Sequence, residues 1–163
     1  MLVSAEEADQ VDVLDLTTRK QIASIRVGNR PRGIAFSPDG NTAYVAVETD
    51  SLLVAIDMQK LAVKGTLSVG ARTNGLTMHP NGQWLFASNG GDANVAVVDT
   101  RNFTVHTKVP VGQRPWNMAV TPNGSRLYVA AGRSHAVSVI DANTFTPIRS
   151  IPVGKLPWGA AAN

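Results

Sequence analysis

An all-β fold of repeated four-stranded sheets follows from three observations. Asp15, Asp57, Asp99 and Asp141 are spaced by 42 residues, as are Gly28, Gly70, Gly112 and Gly154. Pro38, Pro80 and Pro122 keep the same interval, each followed by Asp or Asn and then Gly. Within each interval four short apolar runs recur, separated by turn-forming residues. A fixed period of this size is the mark of a repeat architecture.

The runs, here called a to d, are justified in order. Run a covers 33–37, 75–79, 117–121 and 159–163, and is built of Gly, Ala and modest side chains suited to a crowded centre. The Pro-Asp-Gly or Pro-Asn-Gly that follows tolerates positive φ and makes a tight hairpin to run b. Run b covers 43–47, 85–89 and 127–131; run c covers 52–56, 94–98 and 136–140. Both are apolar on both faces, as Val95, Val97 and Val98 illustrate, so their sheet is expected to pack between two others. Each c–d connection opens with the repeated Asp, whose carboxylate suits acceptance of backbone N–H bonds within the turn; a structural role is expected for all four. Run d covers 22–27, 64–69, 106–111 and 148–153. Pro110 and Pro152 lie inside it, and proline is confined to sheet edges. Arg26, Lys64, Lys108 and Arg149 add the charges that discourage edge pairing, so run d is predicted to be the outer strand.

Four-stranded sheets packed face to face around an axis form a β-propeller. The expectation is one domain over 1–163 with about four blades, divided as 1–28, 29–70, 71–112 and 113–154, with a closing strand over 157–163. In one arrangement that strand pairs with run b near Leu2 and closes a four-blade ring. In the other the chain is part of a larger propeller, formed with further blades or as one half of a homodimer. An open arc exposes apolar blade faces that demand a partner.

Composition narrows the function. Apolar residues make up 44% and charged residues 17% of the chain, a globular balance. There are no cysteines, which excludes disulfides and thiolate metal sites. The net charge of +3 fits an anionic partner, but no basic block points to nucleic acid. No run approaches the roughly 18 apolar residues of a membrane span, and the first residues carry no signal-peptide pattern.

The segment Val111-Gly-Gln-Arg-Pro-Trp-Asn-Met-Ala-Val-Thr-Pro-Asn-Gly-Ser-Arg-Leu-Tyr-Val-Ala130, followed by Val137-Ser-Val-Ile-Asp141, resembles the YVTN-family β-propeller repeat. The segments Gly112 to Trp116 and Val153 to Gly159 are similar to propellers encoded with pyrroloquinoline-quinone-dependent alcohol oxidation. More distant relatives of the repeat are lactonase-like propellers, surface-layer proteins and the haem domain of cytochrome cd nitrite reductases. The resemblance implies a periplasmic or extracellular bacterial protein, commonly with seven blades. It carries no activity over by itself, because propeller functions diverge freely.

Chemistry is expected on the face shared by the d–a and b–c connections. Arg30, Arg72 and Arg114 occupy one repeat position, and Arg32, Asn74, Trp116 and Trp158 the position two residues on. Guanidiniums around one mouth suit a carboxylate, a phosphate or an acidic protein loop, and paired indoles suit a planar ligand or a protein anchor. The alternative role for both sets is structural, tying one blade to the next. The b–c connections add Arg133 and His135, and also Glu48 with Asp50, the sole candidate acid–base pair, expected to be solvated. Asn89 to Asn94 is oxygen-rich without EF-hand spacing, and a plain turn is expected there. His79, His106 and His135 share no repeat position, so no metal site is expected. No catalytic motif and no cofactor fingerprint is present. The expected function is a non-catalytic binding or scaffold module for an anionic or planar ligand or a protein partner. The alternatives are a lactonase-like or redox-associated enzyme domain, and a structural segment of a larger surface-layer-type propeller.

Overall fold

The computed structural model describes all 163 residues. The chain forms fifteen strands in four antiparallel sheets and no α-helix; no helix is long and apolar enough to cross a membrane. The first sheet has three strands, β1 (Leu2–Ala5), β2 (Gln10–Asp15) and β3 (Lys20–Arg26). The second contains β4 (Pro31–Phe36), β5 (Thr42–Val47), β6 (Leu52–Asp57) and β7 (Ala62–Ser68). The third contains β8 (Thr73–Met78), β9 (Trp84–Asn89), β10 (Asn94–Asp99) and β11 (Thr104–Pro110). The fourth contains β12 (Pro115–Val120), β13 (Arg126–Ala131), β14 (Ala136–Asp141) and β15 (Thr146–Pro152). Every strand pairs with its sequence neighbour, as short hairpin connections dictate.

The order of strands from centre to rim follows their chemistry. The inner strands β4, β8 and β12 approach so closely that a Cβ on Gly33 would lie 2.5 Å from the carbonyl oxygen of Asn74. A Cβ on Gly75 would lie 2.5 Å from that of Trp116. Pro110 and Pro152 end β11 and β15, the outer edges, where their missing N–H breaks no ladder. The middle strands are the core. All six residues of β5 are buried, as are Leu53–Ile56 and Val95–Val98.

Three apolar seams join the four sheets. Val11, Val13, Ile25 and Val27 of the first sheet and its outgoing loop pack on Val45, Val54 and Ile56 of the second. Tyr44, Leu53, Ala55 and Val69 pack on Leu85, Ala87 and Val98. Phe86, Val95, Val97 and Val109 pack on Leu127, Val129 and Ile140. The same repeat positions build each seam. Serine and threonine reinforce the inner end, where Ser88 Oγ donates to the Trp116 carbonyl at 2.6 Å and accepts from the Gly75 amide at 2.8 Å.

The repeated aspartates sit in the c–d turns. Asp57 Oδ1 accepts the amides of Gln59 and Lys60, and Asp141 Oδ1 those of Asn143 and Thr144. Asp15 accepts the Thr17 amide and the Thr18 hydroxyl, and Asp99 the Arg101 amide. The Thr18 hydroxyl at Asp15, the Lys60 amide at Asp57 and the Thr144 amide at Asp141 hold these carboxyls below the usual carboxylate range.

The closing strand expected over 157–163 is not formed. No strand follows β15, the first sheet keeps three strands, and the first and last sheets share no backbone hydrogen bond. A four-blade ring closed by strand pairing is therefore replaced by four sheets in an open arc. The inner strands also begin earlier than run a predicts, at Pro31, Thr73 and Pro115, because each opens with a bulge after its first pair.

Candidate functional site

One face of the arc carries the four d–a loops and the b–c loops, laced together by backbone. The amides of Glu48, Gly90 and Gly132 donate to the carbonyls of Arg30, Arg72 and Arg114 at 3.0 Å. Arg30, Arg72, Arg114 and Leu156 all adopt positive φ, between 52° and 61°. The repeated arginine thus marks a left-handed turn whose carbonyl faces its own blade. Each turn is further pinned by side chains. Asn29 N donates to Asp50 Oδ2 at 2.8 Å, Ala71 N to Asp92 Oδ2 at 2.9 Å and Gln113 N to Ser134 Oγ at 2.7 Å. Arg30 N and Arg72 N donate back to Asp9 and Ser51 of the preceding blade. His135 fills the same place, its Nδ1 accepting from Leu156 N at 3.1 Å.

The side chains above this lacing separate into two halves. In the first half every guanidinium is paired. Arg30 binds Glu6, Arg32 binds Glu6 at 2.6 Å and Glu48 at 2.8 Å, and Arg114 reaches across to Glu48 at 3.1 Å. The hydrogen bond from Arg30 holds Glu6 below the usual carboxylate range. Glu48 is only 5% exposed, which corrects the expectation of a solvated loop carboxylate. It projects from the end of β5 into the mouth, where two guanidiniums replace its water. Asp50 spends both oxygens on Asn29, so Glu48 and Asp50 form no acid–base pair.

The second half has no carboxylate among its lining residues. Arg72, Arg114 and Arg133, with Gln113, Gly90 and Gly91, line a recess of about 280 Å³. Arg72 and Arg133 form no ion pair. Arg114 lies 4.6 Å over the Trp116 ring, and Trp116 stacks on Trp158 with centroids 4.2 Å apart and planes 19° apart. The result is a ladder of guanidinium and two indoles held by cation–π and stacking contacts. Trp158 remains 60% exposed and lines a second recess of about 310 Å³ with Ser4, Glu6, Arg32, Asn74 and Asn117.

Nine residues were candidates from the sequence. Arg72, Arg114 and Arg133 converge, Trp116 and Trp158 extend from Arg114, and Arg30 and Arg32 are drawn off to Glu6 and Glu48. Asn74 is buried beneath the second recess, and His135 serves the loop backbone. Arg32, Asn74 and Trp116 stand in the bulges of the inner strands and not in loops. The residues overlooked are the two glycines that make room. A Cβ on Gly90 would meet the Arg114 side chain at 3.2 Å, and one on Gly132 would meet Trp116 Nε1 at 2.6 Å. The available signal is the repeat column itself, which reads Glu6, Glu48, Gly90 and Gly132. Carboxylates sit above the first two blades, and above the last two the Arg114 and Trp116 side chains take that space.

No three His, Asp or Glu side chains cluster as metal ligands. His79 is buried, its Nδ1 accepting from Asn81 N and its Nε2 3.0 Å from the Gly124 carbonyl, which assigns the proton to Nε2. His106 packs on Trp84, 4.9 Å between centroids. Side-chain oxygens of the Asn89 to Asn94 turn hold the neighbouring chain, Asn89 Oδ1 accepting from Thr73 Oγ1 and Asp92 Oδ2 from Ala71 N.

No curated protein matches the chain. Among solved structures it is similar to a hydrazine synthase of Kuenenia stuttgartiensis, with a TM-score of 0.87 and 21% identity, a likeness of fold. The match covers 94% of this chain and 46% of that one, so the chain spans less than half the length of that relative. The family model described as lactonase, 7-bladed beta-propeller matches residues 3–147. With its sheets, its seams and this match together, the chain belongs to the seven-bladed lactonase β-propeller family.

Proposed function

We propose that this propeller segment is a binding module and that its loop face receives an oxyanion, a phosphate or carboxylate group, in the recess of Arg72, Arg114 and Arg133. The observation that carries this reading is the unequal pairing of guanidiniums. Arg30 and Arg32 are satisfied by Glu6 and Glu48, whereas Arg72 and Arg133 face a common space without a counter-charge. Three fork-shaped donors around one space match the several acceptor oxygens of a phosphate or carboxylate. The Arg114–Trp116–Trp158 ladder beside it offers an aromatic flank to a planar portion of the same ligand.

Calorimetric titration with inorganic phosphate, sulfate and citrate tests this reading. Arg72→Ala and Arg133→Ala are each expected to weaken binding about tenfold, as loss of a charge-assisted hydrogen bond of about 1.5 kcal/mol implies. Equal binding by folded double variant and parent would overturn the site. The non-catalytic part of the reading is tested on a lactone panel with and without divalent metal, where turnover by the pure chain would contradict it.

A further inference from the structure

We propose that the groove between the second and third sheets, on the face opposite the loops, binds a small aromatic carboxylate, one or two fused rings bearing a single anionic group. Two observations carry this. The other two seams fill the same place with their own side chains, and here the replacing residues are smaller, hydroxylic and cationic.

The repeat defines the place. In the seam of the third and fourth sheets it is packed with aromatic rings. The Trp84 indole lies 4.9 Å from the His106 ring and 5.1 Å from Phe145, edge to face with the latter. In the seam of the first and second sheets, Leu2, Met58 and Leu61 pack against the apolar cluster. In the seam of the second and third sheets the same repeat positions read differently. Thr42 stands where Trp84 does, Lys64 where His106 does and Gly65 where Thr107 does, while Thr100 replaces Met58. An indole and a threonine side chain are thus lost from one wall, and a recess of about 270 Å³ lies there. Ligand cavities begin at about 300 Å³, so this space suits one small ring system.

The walls select the occupant. Phe103 is the equivalent of Phe145, so the aromatic surface that receives Trp84 in one seam is retained in the other. It tilts against Tyr44 with centroids 6.2 Å apart. A Cβ on Gly65 would lie 3.4 Å from the Phe103 ring, so a larger residue there would narrow the recess. A planar ring can take the place of the missing indole against these surfaces. Lys64 Nζ donates to Thr42 Oγ1 at 2.6 Å, which holds the ammonium at the position the indole would occupy.

Charge fixes the other end of the ligand. Lys64 on β7 and Arg101 in the turn after β10 line the recess from different sheets, and no carboxylate lines it with them. Neither cation makes an ion pair. Asp39 borders the adjoining recess with Thr42 and Arg101, but its oxygens are taken by Ser37 and Asn41. Asp57, the cross-strand partner of Thr42, is engaged by the amides of Gln59 and Lys60. A carboxylate held between Lys64 and Arg101 accepts from both. A hydrocarbon ring alone would strip water from the ammonium without replacing it, which makes the anion part of the recognition. The site shares no lining residue with the recess of Arg72, Arg114 and Arg133.

Calorimetric titration with 2-naphthoate tests the site. It is run on the full chain carrying Arg72→Ala and Arg133→Ala, so that the loop-face guanidiniums play no part. Saturable binding is expected, and the neutral 2-naphthylmethanol is expected to bind at least about tenfold more weakly. Two further substitutions borrow residues from other blades. Thr42→Trp refills the groove as Trp84 does, and Lys64→Ile installs the residue that the first blade carries as Ile22. In folded protein the first is expected to abolish binding and the second to weaken it about tenfold. No saturable binding up to about 5 mM naphthoate, equal binding of the alcohol, or undiminished binding in either folded variant overturns the proposal.

Discussion

Glu48 carries more of the site than any other single side chain. It is buried, holds Arg32 at 2.8 Å and Arg114 at 3.1 Å, and so ties the second blade to the loop that enters the fourth. Removing one partner of a buried ion pair leaves uncompensated charge, although Arg32 and Arg114 here keep some water. Glu48→Gln is expected to lower unfolding free energy by about 2–3 kcal/mol, read from urea denaturation. It also releases Arg114, so the same variant is expected to bind phosphate more tightly than the parent. Ser88→Ala is a purely structural counterpart. It strands the buried Gly75 amide and Trp116 carbonyl, and should cost about 1–3 kcal/mol without altering anion affinity at Arg133. The arginines, the indoles and the aspartate turns were legible in the sequence because each recurs at 42 residues. The pairing of Arg30 and Arg32 was not, since a carboxylate in a loop looks solvated until the neighbouring guanidiniums are placed in space.

At the scale of the element, the inner strands set the geometry of everything above them. Their glycines permit backbone approach that no side chain allows. Gly75→Ala would put a methyl 2.5 Å from the Trp116 carbonyl oxygen and 3.0 Å from the Asn117 Cα, backbone atoms of β12 that cannot yield. A loss of more than about 3 kcal/mol, or failure to fold, is the expected outcome by thermal or urea unfolding. Strand order was readable from proline and charge in the outer runs and from two-sided apolarity in the middle ones. The bulges at Pro31, Thr73 and Pro115 were not, because a bulge has no compositional mark. They shape the loop face, since Arg32, Asn74 and Trp116 stand in them. Residues 157–163 form no strand and run instead beside the inner strand β12, where the Trp158 carbonyl accepts from Asn117 N at 3.1 Å.

For the whole molecule, stability rests on three apolar seams and on carboxylates that are bound in turns and ion pairs. Asp39 is held at about 2, chiefly by the Ser37 hydroxyl and then by Asn41, and Glu6, Asp15, Asp57 and Asp141 are also held below their ordinary values. Groups with a folded-state pKa below the unfolded one stabilise the fold fully above about pH 4–5. That contribution is lost as pH falls through the folded values toward 2. The melting temperature should therefore be flat near neutrality and fall steadily below about pH 4, and Asp39→Asn should flatten the acid limb. The loop face combines this stable arc with an uneven charge pattern, glutamate above the first two blades and glycine above the last two. The binding account depends on that unevenness more than on the number of arginines.

Gly90→Glu tests it most directly, because it restores to the third blade the carboxylate that the first two possess. The Arg114 side chain, whose atoms would lie 3.2–3.4 Å from the new Cβ, must shift by a few tenths of an ångström to admit it. Calorimetric titration with inorganic phosphate should show at least a tenfold loss of affinity in this variant with its β-sheet content unchanged. Phosphate binding equal to the parent's in the folded variant would contradict the account.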